Sequence, residues 1–225
     1  MSNRDPFLAR VRQAAEMGRA YRVHLESVPD DVGYIGVQED LVERLAAEVD
    51  AVGGQSFIVP DMEAAGLALH RLLEEAGARS ALCWRHELLD RLGLAELLAA
   101  PGVTLHDHDT LAPLPVDEQR RVMLGCDIGI TSCDWAIAET GTLVVLSRPG
   151  QERVASLLPS FYVAIVERRQ IVPDLIDAFD RLSLSGNELP SNVTFITGPS
   201  KTGDIELQLT TGVHGPGKWR VIVIQ

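Results

Sequence analysis

Apolar residues along the chain recur with two alternating periods. Phe7, Leu8, Val11, Ala14 and Ala15 fall at helical spacing around Arg10 and Arg12, predicting an N-terminal helix over residues 7–21. The stretch VHLESVPDDVGYIG keeps no period and carries Pro29, Gly33 and Gly36, so it reads as a connection. From residue 37 helix and strand patterns alternate. Val37, Leu41, Leu45 and Val49 step by four, and Gly53-Gly54 ends that helix. SFIV is a strand closed by Pro60. Asp61 then suits the N-cap of a helix through Leu67, Leu72, Leu73 and Ala76, with Gly77 as its stop. SALCW is the next strand, residues 86–99 a Leu-rich helix ended by Pro101-Gly102, and VTLH a further strand. Repeated helix–strand units with wholly apolar strands predict a parallel sheet covered on both faces.

The second half follows the Pro-containing connector TLAPLPVDE. A helix near residues 117–125 leads into CDIGITSCDWAIAETGTLVVLS, where strand-like runs succeed one another closely. FYVAIVE is a buried strand, and Pro173 suits the first turn of a helix through Leu175, Ile176, Phe179 and Leu182. NVTFIT is a strand running into GPSKTGD. The apolar KWRVIVIQ at the chain end predicts a terminus built into the sheet. The chain therefore divides into residues 1–36, a helix and connection, and residues 37–225, one α/β domain.

Composition narrows the function classes. The 225 residues are 46% hydrophobic and 23% charged, as expected of a soluble globular protein. A net charge of -12 opposes non-specific binding to nucleic acid or an anionic membrane. The charged N-terminus lacks the apolar core of a signal peptide, and no apolar run approaches a membrane span, so a cytoplasmic protein is expected. Cys83, Cys126 and Cys133 are too few and too scattered for a disulfide framework. With no C-x-x-C pair among them, they are expected to be buried reduced thiols, with no iron–sulfur cluster or structural zinc on this chain.

Three Gly-containing loops carry the candidate chemistry. In GITSCDWAIAETGT, Glu-Thr-Gly-Thr joins two apolar runs as a hairpin. Glu139 there is either a solvent-facing turn residue or a carboxylate at a pocket edge. TGPSKTGDIE follows a strand and reads as the start of a short helix, although Ile205, Leu207 and Leu209 alternate as in a strand. It is not a P-loop: with Lys201-Thr202 as the K-[ST] pair, the required glycines fall on Ser200 and Phe195. Asp204 and Glu206 would repel phosphate and suit ligand hydroxyls, a cation or capping. TGVHGPGKW fences His214 with glycines and Pro216, leaving either a titrating histidine or a ring bonded to the loop backbone. A fourth stretch, HDHD, puts His106 and His108 on one face if extended, but no second cluster supports a metal site there. Nucleophile-elbow and dinucleotide fingerprints are missing.

Taken together, GITSCDWAIAETGTLVVLSRPGQERVASLLPSFYVAIV, ITGPSKTGDIE and GVHGP before the last strand resemble the LUD domain of the lactate-utilisation protein C family. The likeness is close from Asp127 onward and loose over residues 37–111. It implies a three-layer α/β domain with a mainly parallel sheet, similar to the NagB/RpiA/CoA-transferase-like fold. It also implies a role as a subunit or accessory component beside iron–sulfur proteins that oxidise L-lactate to pyruvate. The clusters are then expected on those partners, with no cofactor on this chain. The alternative is a stand-alone enzyme or binding protein for an anionic ligand such as a nucleotide, CoA, a folate or a sugar phosphate. Among the motif positions carried over, the candidate site residues are Thr131, Asp134, Glu139, Thr140, Gly141, Thr142, Arg153, Ser200, Lys201, Thr202, Asp204, Glu206, His214 and Gly215. Of these, Glu139, Asp204 and His214 are the candidate catalytic groups and the rest candidate ligand contacts. Arg153 and Lys201 would hold an anion, in a single pocket at the carboxyl ends of the strands.

Overall fold

The computed structural model describes residues 4–19, 40–184, 190–205 and 208–225. The chain forms two units, Met1–Ile35 and Gly36–Gln225. The described part of the first is the helix α1 (Arg4–Arg19), on which Phe7 and Val11 are exposed. The predicted connection and Val37 lie outside the described residues.

In the second unit the described helices are α2 (Leu41–Ala51), α3 (Met62–Ala76), α4 (Glu87–Arg91), α5 (Leu94–Ala99), α6 (His108–Leu111), α7 (Val116–Gly125) and α8 (Leu175–Leu184). The strands are β1 (Gln55–Val59), β2 (Ser80–Cys83), β3 (Thr104–His106), β4 (Ile128–Thr131), β5 (Trp135–Ile137), β6 (Thr142–Leu146), β7 (Phe161–Glu167), β8 (Ile171–Val172), β9 (Val193–Ile196), β10 (Lys201–Ile205), β11 (Gln208–Thr211) and β12 (Lys218–Ile224). Six of them form a sheet in the order β1-β12-β7-β4-β2-β3, parallel at every pairing. The C-terminal strand is therefore interior, held between β1 and β7. A second sheet runs β8-β5-β6-β9, and β10 pairs with β11 as a separate antiparallel hairpin.

Local chemistry explains most element ends. Asp61 accepts the Ala64 N–H at 2.8 Å and caps α3, which stops at left-handed Gly77. Asp40 caps α2 through the Val42 N–H at 2.9 Å. The predicted 86–99 helix is two helices, because Gly93 adopts φ 70 and starts a new turn. Leu88, Leu89, Leu94 and Leu98 are all buried, so the apolar period persists across the break and hides it. Pro173 stands ahead of α8 rather than in its first turn; Asp174 caps the helix by accepting the Asp177 N–H at 2.8 Å. The expected helix after Ser200 is strand β10, as the alternation of its apolar residues allowed.

The hairpin β5–β6 is antiparallel, with Trp135 opposite Val144. Its strands bury both faces. Ala136, Leu143 and Val145 join the main core, while Ile137, Val144 and Leu146 pack with Val172 and Ala178 in a second cluster. This two-sided burial is why TLVVL reads as an unbroken apolar run. Among the described residues no helix is long and apolar enough to cross a membrane.

Candidate functional site

Two of the three predicted loops meet. The Ser200 N–H donates to the Pro216 carbonyl at 2.8 Å, and the Gly212 N–H donates to the Ser200 carbonyl at 2.9 Å. These bonds tie the Ser200 loop to the His214 loop. Between them and the sheet lies a cavity of about 260 Å³, whose lining includes Tyr162, Thr197, Ser200, His214, Gly215 and Trp219. Trp219 is 1% exposed, and its indole N–H has no hydrogen-bond partner among the described residues. A buried donor left unmet costs roughly 1–3 kcal/mol, so a residue lining this cavity carries an unmet donor. Burial pushes the Tyr162 phenol above its ordinary range, outweighing its bond to Thr131, so it stays a hydroxyl. A buried N–H, several hydroxyls and an imidazole suit a small ligand that brings acceptor oxygens.

The pocket is not where the sheet rule put it. β9 belongs to the four-stranded sheet, and the loop after it closes against the amino ends of β7 and β12, where the Gly217 and Lys218 N–H groups donate to the Ser160 carbonyl. The third loop does not join. Glu139 is half-buried in the β5–β6 turn, its N–H donates to the Pro173 carbonyl at 3.0 Å, and it does not line this pocket. The turn instead packs on α2. Gly141 has φ 63, and a Cβ on it would stand 2.7 Å from the Val49 nitrogen. Thr140 and Thr142 form a hydroxyl relay, 2.7 Å from each other, with Thr142 a further 2.7 Å from Thr197 at the pocket wall.

Other expected ligand contacts are spent elsewhere. Lys201 turns away and donates Nζ to the Val52 carbonyl at the end of α2, at 2.6 Å. Arg153 lines a different groove. Asp134 accepts the Leu146 N–H at 2.8 Å and pairs with Arg148 at 2.6 Å. Thr131 is fully buried and holds the Tyr162 hydroxyl at 2.7 Å. Thr202 lies in β10 opposite Thr210, and Asp204 follows in the same strand rather than at a helix start. Glu206 lies outside the described residues.

A second cavity escaped the sequence reading. It occupies about 420 Å³ at the carboxyl end of β2, where open α/β sheets bind ligands, with Cys83, Trp84, His108, Met123, Glu152 and Ala155 in its walls. At its rim His108 Nδ1 stands 2.7 Å from Glu152 Oε1, which also accepts the Gly150 N–H at 3.0 Å. The Trp84 indole N–H donates to the Glu152 carbonyl at 2.9 Å. Asp107 caps α6 in a capping box with Thr110, and Asp109 pairs with Arg85. HDHD is therefore not extended throughout, since β3 ends at His106 and α6 starts at His108. His108 and Glu152 are far apart in sequence, and no local spacing pairs them.

All three cysteines are free and buried. Burial pushes the Cys126 thiol up to about 11, and raises Cys83 and Cys133 well above the ordinary range.

Residues 42–224 match the family model described as the LUD domain. Over 161 residues the chain is 39% identical to Lactate utilization protein C of Halalkalibacterium halodurans, covering 70% of this chain and 68% of that protein. Over 241 residues it is 32% identical to Lactate utilization protein C of Geobacillus sp. strain WCH70, covering 99% and 95%. The crystal structure of a DUF162 family protein from Deinococcus radiodurans shares the fold, with a TM-score of 0.59 at 23% identity, covering 82% of this chain and 96% of that one.

Proposed function

The chain belongs to the LUD domain family, and on that premise we propose that it serves lactate utilisation as a subunit or accessory component of an iron–sulfur system oxidising L-lactate to pyruvate. The observation that carries this reading is the near full-length match to a Lactate utilization protein C. The thiols support placing the clusters on partner subunits. Clusters are ligated by groups of cysteines, and Cys83, Cys126 and Cys133 are buried among apolar side chains of the core. Reduced thiols also suit a cytoplasmic setting. The Ser200–His214 pocket, with its unmet Trp219 N–H, supports binding of a small acceptor-rich molecule by this chain. The alternative, a stand-alone enzyme or binding protein for an anionic ligand, gains no support from the two cations expected to hold an anion, which do not converge. Lys201 is held by the Val52 carbonyl and Arg153 lines another groove.

Deleting the gene in its own organism should abolish growth on L-lactate and leave growth on pyruvate intact, with the wild-type gene restoring the former. Unimpaired growth on L-lactate would end the lactate reading. A tagged chain recovered from lactate-grown cells should bring down proteins containing iron and acid-labile sulfide; recovery of the chain alone would remove the subunit role.

A further inference from the structure

We infer that the cavity at the carboxyl end of β2 is a binding site for a hydroxy acid carrying an apolar, ring-sized body. Three features of the site specify that class. The chamber is walled by Leu82, Trp84, Leu111, Met123, Val154 and Ala155, and its volume of about 420 Å³ falls within the range of small-molecule sites. Such walls reward an apolar group. At the rim, His108 faces a carboxylate through Nδ1, so Nδ1 donates, and in the neutral ring Nε2 is an acceptor. The pair is fixed by the Gly150 N–H on Glu152 Oε1 and by the Trp84 indole on the Glu152 carbonyl. An imidazole held in this tautomer accepts a hydrogen bond from a ligand hydroxyl.

Beside the cavity lies a groove of about 620 Å³ that shares His108, Glu152 and Val154 with it. Two guanidiniums line that groove. Arg148 is neutralised by Asp134, whereas Arg153 is exposed and has no ionic partner among the described residues. Arg153 is thus the cation for a carboxylate. The apolar chamber and the groove holding the free guanidinium thus adjoin, with His108 in the walls of both.

The site shares no lining residue with the Ser200–His214 pocket. One 3₁₀ turn, Arg153–Ser156, separates them, with Val154 and Ala155 walling one cavity and Ser156 the other. The inference does not depend on the lactate reading, and its test needs only the purified chain.

The probe is L-3-phenyllactate, titrated by calorimetry. Saturable binding at one site per chain is expected. 3-Phenylpropionate, which lacks the hydroxyl, should bind about tenfold more weakly, and L-lactate, which lacks the ring, at least tenfold more weakly. His108→Asn keeps a donor for Glu152 but removes the Nε2 acceptor, and should weaken phenyllactate about tenfold. Ala112→Trp, at an exposed position on the rim, should fill the chamber and abolish binding. Absence of saturable heat with phenyllactate overturns the site. So does an affinity left unchanged by His108→Asn; this variant decides the matter if Ala112→Trp does not fold. Equal affinity for phenylpropionate overturns the acceptor role of His108.

Discussion

Replacing Gly129 by alanine probes the packing that keeps the two cavities apart. Gly129 lies in mid-β4, in register with Tyr162 of β7. A Cβ built on it would stand 1.9 Å from the Ala155 carbonyl oxygen and 3.1 Å from its carbon. Restoring even 3.0 Å requires a shift of 3.0 − 1.9 = 1.1 Å between strand and turn. The turn is not free to give. Ser156 Oγ donates to the Arg153 carbonyl at 2.9 Å, and the Trp84 indole holds the Glu152 carbonyl at 2.9 Å. Overpacking of this kind costs about 1–3 kcal/mol. For a chain of this length each kcal/mol moves Tm by about 2–4 °C, so Gly129→Ala should lower Tm by about 2–12 °C. Gly66→Ala is the control. That glycine is in α3, and its Cβ would meet only Leu97 methyls at 3.5 Å, an ordinary contact. Helix propensity then favours the variant by up to about 1 kcal/mol, raising Tm. Melting curves by circular dichroism read both. If Gly129→Ala melts with the wild type, or both variants move together, the turn slides freely and the packing argument is refuted.

Two further outcomes follow from the contacts. Lys201→Met removes the bond to the Val52 carbonyl at the C-cap of α2, so stability should fall by no more than about 1 kcal/mol, while any ligand affinity of the Ser200–His214 pocket stays unchanged by calorimetry; a large affinity loss would put Lys201 back in the site. His86 is the pH-sensitive group: burial lowers its pKa below the ordinary 6.5, against smaller opposing effects of Asp134, Glu87, Asp90 and Glu167. The fold favours the neutral ring, so this contribution is complete above pH 6.5 and is lost as pH falls from 6.5 through the lowered value. His86→Asn keeps a cap for α4 and should flatten that part of the stability–pH curve; denaturant unfolding at several pH values would expose an unchanged slope.

Element type was largely legible because it is local. Asp61 and Gly77 bracket α3 as their side-chain chemistry dictates, and Glu-Thr-Gly-Thr makes a hairpin turn. The errors have two sources: at Gly93 the helical leucine period persists across a break made by a left-handed glycine, and at Lys201–Ile205 a short apolar run satisfies both periods, so a strand reads as a helix start.

Three loop motifs carried the family resemblance, and the side-chain pattern by itself determined a mainly parallel α/β domain, a C-terminal strand built into the sheet and buried thiols. Those properties follow from side-chain period, capping and composition, which act within a few residues. Which loops share a pocket was decided only by tertiary structure. The hydrogen bonds between Ser200 and Pro216 join two loops, the packing of Gly141 on α2 withdraws the third, and Lys201 is drawn to the end of that same helix. The pairing of His108 with Glu152 is likewise made by the chain path. Contacts between residues so distant in sequence depend on strand order and backbone approach, and no local pattern encodes either.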